Sequence, residues 1–264
     1  MKTTAPLGGM SWESSAIYYK VINEEVARRL GGLHSARSVM LSFNFQEIEA
    51  LQHVGAWDVA TQRLIEGAQS VEIAGADVLL ICTNTMHMMA DEVQAHIDIP
   101  LLHIADATAE HIRDRGLDRI GFLGTRFTMD MDFYKGRLKD LHGIDVLVPC
   151  PRDREMVDRI IYEELCKGII KDSSRAEYKR IMETLVAHGA EGLILGCTEI
   201  TLLVSQADAS APVFDSTRIH AEAAVHLALD HEAFKGTASL RGEMGATARR
   251  NTFEDSRVTG GVTA

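Results

Sequence analysis

Two short segments constrain this chain more than any other feature. Ile81-Cys82-Thr83-Asn84-Thr85-Met86-His87 and Leu195-Gly196-Cys197-Thr198-Glu199 each close an apolar run. A shift of 114 positions lays residues 77–81 over 191–195 and sets Thr83 opposite Cys197. Two further landmarks keep nearly that spacing. Leu7-Gly8 and Leu123-Gly124 are 116 apart, and Pro100 before Leu101-Leu102 and Pro212 before Val213-Phe214 are 112 apart. Landmarks repeated in the same order imply two similar lobes whose paired loops face each other.

A chain of 264 residues suits that plan, with about 100 to 120 residues for each lobe. Apolar runs that end in Gly or turn residues alternate with amphipathic stretches of helical length, the pattern of an α/β protein. The reading is two pseudo-symmetric lobes, each a parallel sheet sandwiched by helices, with the active site between them. Residues 1–104 plus 212–234 form the first lobe and 105–211 the second. Strands are expected over 4–7, 38–43, 77–82 and 101–104, then 119–123, 145–148, 192–195 and 212–215. Helices are expected over 12–30, 57–74, 86–96, 129–141, 153–167, 174–188 and 217–234. Residues 235–264 are rich in Gly, Thr and Arg with little apolar content, and a disordered tail is expected there.

Composition excludes several classes. A formal charge of −11 without a dense Lys/Arg patch disfavours nucleic acid and anionic membrane as partners. No apolar run approaches the roughly 18 residues of a membrane span. Met1-Lys2-Thr3-Thr4-Ala5-Pro6 runs into Leu7-Gly8-Gly9 without the apolar stretch of a secretory signal, so a cytoplasmic location is expected. Cys82, Cys150, Cys166 and Cys197 show no CxxC and no Cys/His metal spacing, which leaves them as free thiols with no metal expected. There is no Gly-rich phosphate loop and no recognisable lysine motif for pyridoxal phosphate.

In parallel sheets, ligands bind beyond the carboxyl ends of strands, where helix N-termini offer partial positive charge. A thiol at such a place has its anion stabilised, so the thiolate of Cys197 is expected near neutral pH. Asn84, Thr85 and Thr198 add donors and acceptors suited to an amino acid's ammonium and carboxylate. The plainer reading remains open at this point: Cys197 ends a buried strand, and the other three cap helices.

Gly8-Gly9-Met10-Ser11-Trp12-Glu13, Asn84-Thr85-Met86-His87 and Gly196-Cys197-Thr198-Glu199-Ile200 resemble, in this order, the signatures of the aspartate/glutamate racemase family. The likeness spans about residues 7–230 and leans towards broad-specificity or L-aspartate/glutamate-type bacterial racemases. It implies a cofactor-independent enzyme in which two cysteines flank the substrate's α-carbon, one removing a proton and the other returning one. Family members often dimerise, so a homodimer is one expectation.

This chain departs from the pattern. Thr83 stands where the usual member has its first-lobe cysteine, and a hydroxyl is too weak an acid to serve as a resting base. The resemblance therefore assigns Cys197 the α-proton of L-aspartate or L-glutamate, with Thr83, directly or through water, on the opposite face. Cys82 aligns with Gly196 and should point into the core. Met10, Ser11, Gln52, Asn84, Thr85, Thr125, Lys167, Thr198 and Glu199 are the expected substrate contacts, with Gln52 and Lys167 nearest the side chain. His87 is read as an orienting or a buried histidine, and Met86, Met88 and Met89 as packing between lobes. Alternatives are a single-thiol decarboxylase or isomerase of the same superfamily, and a non-catalytic amino-acid-binding protein.

Overall fold

The computed structural model describes residues 1–230. In chain order the first half holds β1 (Thr4–Gly8), α1 (Trp12–Leu30), β2 (Leu41–Ser42), α2 (Phe45–His53), α3 (Trp57–Ile73) and β3 (Val78–Ile81). A 3-10 turn at Thr85–Met89 then runs into α4 (Ala90–Ala95) and β4 (Leu101–Leu102). The second half opens with α5 (Ile104–Arg113), β5 (Arg119–Gly124), α6 (Arg126–Asp130), α7 (Asp132–His142) and β6 (Asp145–Leu147). It continues through α8 (Pro151–Glu163), α9 (Asp172–Ala187), β7 (Gly192–Gly196), α10 (Ile200–Leu203), β8 (Val213–Asp215) and α11 (Ser216–Leu229).

The strands form two four-stranded parallel sheets, ordered β2-β1-β3-β4 and β6-β5-β7-β8. Leu7 pairs with Ile81 in one sheet, and Leu123 with Leu195 in the other. The landmark offsets of 116 and 114 thus fall on one equivalent strand pairing. Val-Leu-Leu-Ile of β3 and Gly-Leu-Ile-Leu-Gly of β7 are buried at every position, because helices cover both faces of a parallel sheet.

Each lobe's last helix crosses to the other. After β4, α5 places Ile104, Ala105, Ala109 and Ile112 in the second-lobe core with Phe122 and Leu123. After β8, α11 sets Ala221, Ala224 and Val225 against Tyr18, Ile22 and Val26 of α1 and Leu80 of β3. The small alanines let α11 lie close on α1. The described part of the segment 212–234, grouped with the first lobe on sequence, therefore divides: β8 pairs with β7 in the second sheet, and α11 packs on the first.

Several boundaries also differ. The helix expected over 86–96 is split into the 3-10 turn and α4, and the last helix ends at Leu229. The helix expected from 153 starts at Pro151, a residue well suited to the first helical position. Two helices, α2 and α5, lie in stretches for which no helix was expected. The expected tail at 235–264 lies outside the described residues.

Candidate active site

The loops after β3 and β7 meet over a narrow cavity of about 30 Å³. Met10, Ser14, Gln52, Thr83, Asn84 and Thr85 line it from the first lobe, and Thr125, Tyr162, Cys166, Cys197, Thr198 and Glu199 from the second. Beyond Gln52 and Tyr162 lies a wider groove of about 710 Å³ between α2 on one side and α6 and α8 on the other. Local sequence fixes the loops. Gly9 has φ +87°, and a Cβ there would meet the Phe43 carbonyl oxygen at 2.1 Å, so glycine is required before Met10. In the second lobe a Cβ on Gly196 would meet the Phe122 ring at 2.2 Å, so the strand passes close to that ring just before Cys197.

The thiol of Cys197 donates to Oε2 of Glu199 at 2.8 Å. Oε1 of the same carboxylate accepts from Ser11 Oγ at 2.7 Å and Ser14 Oγ at 3.1 Å, both at the start of α1 in the other lobe. Burial, followed by the negative charge and hydrogen bond of Glu199, pushes the Cys197 thiol well up. This corrects the expectation of a resting thiolate near neutral pH. The helix after Cys197, α10, has only four residues, too few to outweigh a carboxylate in contact.

On the opposite wall Thr83 keeps partial exposure, and its carbonyl accepts from Nδ1–H of His87 at 2.8 Å. His87 Nε2 in turn accepts from the Ile104 N–H at 3.2 Å, which fixes the tautomer and ties the Thr83 loop to α5. Burial, then the neighbouring His103 and His220, holds His87 well below its ordinary pKa and hence neutral. Cys82 is fully buried among Tyr18, Val21 and Ile22, and burial drives its thiol far up, so it offers no second base.

Asn84, Thr85 and Thr198 are not simple caps. Thr85 Oγ1 lies 3.2 Å from Thr125 Oγ1 across the lobe boundary, and Thr198 Oγ1 lies 2.9 Å from Thr217 Oγ1. Asn84 Nδ2 donates to Ser216 Oγ at 3.3 Å. Its Oδ1 is buried without a partner, and the residue lines the cavity. A buried acceptor left unpaired costs about 1–3 kcal/mol, which a ligand donor would recover.

The structure brings Met10, Gln52, Asn84, Thr85, Thr125, Thr198 and Glu199 to the cavity with Thr83 and Cys197. Ser11 stands behind it, capping α1 and donating to Glu199. Lys167 is exposed and is not part of the cavity wall. Met86 and Met89 belong to the first-lobe core, where Met86 Sδ accepts from Gln52 Nε2 at 3.1 Å. Ser14, Tyr162, Ser216 and Thr217 carry no site assignment in the sequence reading, and Cys166 appears there only as a free thiol. All but Ser14, which directly follows the first motif, lie away from the loop motifs. The Cys166 thiol, also on the wall, is pushed up to about 12 by burial. Among the described residues no group of three or more His, Cys, Asp or Glu could hold a metal ion, and no helix is long and apolar enough to cross a membrane.

A profile of the Asp/Glu/hydantoin racemases matches residues 7–224, which takes in both loops. The chain belongs to the Asp/Glu/hydantoin racemase family. A crystal structure of a candidate Asp/Glu racemase from Yersinia pestis is 55% identical, covers 87% of this chain and 100% of its own, and has a TM-score of 0.83. An aspartate racemase homologue from Pyrococcus horikoshii OT3 is 36% identical over 87% of this chain and 100% of its own, with a TM-score of 0.76. The broad-specificity amino-acid racemase of Bacillus subtilis (strain 168) is 24% identical over 67% of this chain and 75% of its own length. Aspartate/glutamate racemases are cofactor-independent isomerases, and this chain is a racemase of that kind.

Proposed function

We propose that the protein racemises free L-aspartate or L-glutamate in the cytoplasm, with Cys197 as the base on the L face and Thr83 on the other. The observation that carries this reading is Asn84 Oδ1, a buried acceptor without a partner on a residue that lines the cavity together with Thr83 and Cys197. It suits the α-ammonium of an amino acid. The hydroxyls of Thr85 and Thr198 suit the α-carboxylate, and the amide of Gln52 suits a polar group on the side chain.

Glu199 takes the thiol proton along the 2.8 Å hydrogen bond, leaving a thiolate that removes the α-proton. A proton then arrives on the opposite face from water held by the Thr83 hydroxyl. The protonated Glu199 gives up its proton through solvent to neutralise the hydroxide left behind, which restores the thiol and carboxylate of the resting site. A cavity of about 30 Å³ has room for a water or two and not for an amino acid. Binding therefore requires the contacts that cross between lobes, Ser11–Glu199 and Thr85–Thr125, to yield.

Proton NMR in deuterated water, on a panel of L- and D-amino acids with the purified full chain, tests the proposal. Loss of the α-proton signal, with the opposite enantiomer appearing on chiral chromatography of the same samples, is expected first for aspartate and glutamate. Exchange confined to neutral amino acids would overturn the substrate assignment, and no exchange with any amino acid would overturn the racemase reading.

A further inference from the structure

We infer that Ser216 is a positioning residue that locks the side-chain amide of Asn84 with its oxygen towards the substrate. Ser216 begins α11 and is fully buried. Its hydroxyl donates to the Leu195 carbonyl at 2.9 Å, on the strand leading to Cys197. With that proton committed, Ser216 Oγ is left as an acceptor, and the group of Asn84 that faces it at 3.3 Å must be the N–H. Asn84 Oδ1 is then the amide atom left without a partner, on a residue that lines the cavity. A flipped amide would set its oxygen against the lone pairs of Ser216 and offer an N–H to the cavity, the wrong polarity for an ammonium.

The same hydroxyl joins the two loops. Through Leu195 O it is fixed to β7, and through Asn84 it is fixed to the loop after β3. One residue later, Thr217 pairs with Thr198 of the second loop. The first turn of α11 is thus a bracket beneath both catalytic loops, held against the first lobe by Ala221, Ala224 and Val225. Ser216 touches no reacting atom and acts through Asn84.

This inference rests on the racemase reading, and its test separates the two. Ser216→Ala frees the amide to flip, and KM for the L-amino acid should rise roughly ten-fold. Binding of the matching dicarboxylate without an amino group, succinate for aspartate, should change less than about two-fold by titration calorimetry. On an Asn84→Ala background, Ser216→Ala should add less than about two-fold, because the residue it positions is gone. Ser216→Thr keeps the hydroxyl, should retain a KM near that of the wild type, and provides the comparison if the alanine variant does not fold. Equal weakening of aspartate and succinate, multiplication of the two single effects, or a threonine variant as impaired as alanine would overturn the positioning role. A wild-type protein that binds no amino acid would instead overturn the racemase reading beneath it.

Discussion

Cys197 Sγ lies 2.8 Å from Oε2 of Glu199, a carboxylate whose other oxygen is held by Ser11 and Ser14 from the opposite lobe. The thiol's hydrogen-bond acceptor is therefore positioned by residues 188 and 185 positions away in the chain. One carboxylate thus joins the thiol's hydrogen bond to a contact between the lobes.

Replacing Glu199 by Gln should lower the apparent pKa of Cys197, since a contacting negative charge is removed. The midpoint of its alkylation by iodoacetamide, followed by peptide mass at Cys197, should fall to lower pH. Turnover should still drop by roughly a hundred-fold, because the group that takes the thiol proton is gone. An unchanged or raised midpoint would show that Glu199 does not set the thiol's ionisation.

The duplicated loops were legible because parallel-strand ends carry their chemistry in a few consecutive residues, so Thr83, Asn84, Cys197 and Thr198 stand out in one dimension. Ser14, Ser216 and Thr217 were not legible. Each acts through a contact with a residue distant in the chain, and on its own helix each looks like an ordinary first-turn polar residue. The ionisation of Cys197 was misjudged for the same reason: the helix N-terminus is visible in sequence, whereas the closure of Ser11 and Ser14 on Glu199 is not. The helix α5 was legible, since Ile104, Ala105, Thr108, Ala109 and Ile112 recur at helical spacing and are all buried, although its apolar residues are mostly small.

Histidines 87, 103 and 220 should make the fold acid-sensitive. Burial lowers all three, His103 to about 2 and His220 to about 4. In the unfolded chain each titrates near 6.5, so protons favour unfolding between those values. Stability is full above about pH 6.5 and falls below it, by about 1.4 kcal/mol per pH unit for each histidine. His220 stops contributing near its folded value. Chemical denaturation at pH 7 and pH 5 should show the loss, and His220→Gln should remove about a third of the slope. A pH-independent midpoint over that range would contradict the neutral buried state.

Gly196→Ala should impair both fold and site. Its Cβ would meet the Phe122 ring at 2.2 Å, and the ring is itself buried against Tyr134. Relief must come from shifting Phe122 or the strand that carries Cys197, at a cost of about 1–3 kcal/mol. Thermal unfolding and turnover should fall together. Gly196→Ala with wild-type stability would mean that Phe122 has room to move.

Thr83 and Cys197 face one cavity with unequal acids, and exchange should reveal the inequality. Cys197 can remove and return a proton on one face repeatedly, while delivery on the other depends on a hydroxyl and water. L-substrate should therefore lose its α-proton to deuterated solvent faster than it racemises. The equilibrium constant between enantiomers is one, so kcat/KM must be equal in both directions, and the asymmetry must appear in exchange or in kcat and KM separately. Cys197→Ala should abolish exchange from the L-substrate while leaving the fold intact. Thr83→Cys should speed exchange on the D face and raise racemisation with it. Equal exchange of both enantiomers with no excess over racemisation, or a Thr83→Cys variant whose D-face rate is unchanged, would show that Thr83 is not the limiting group.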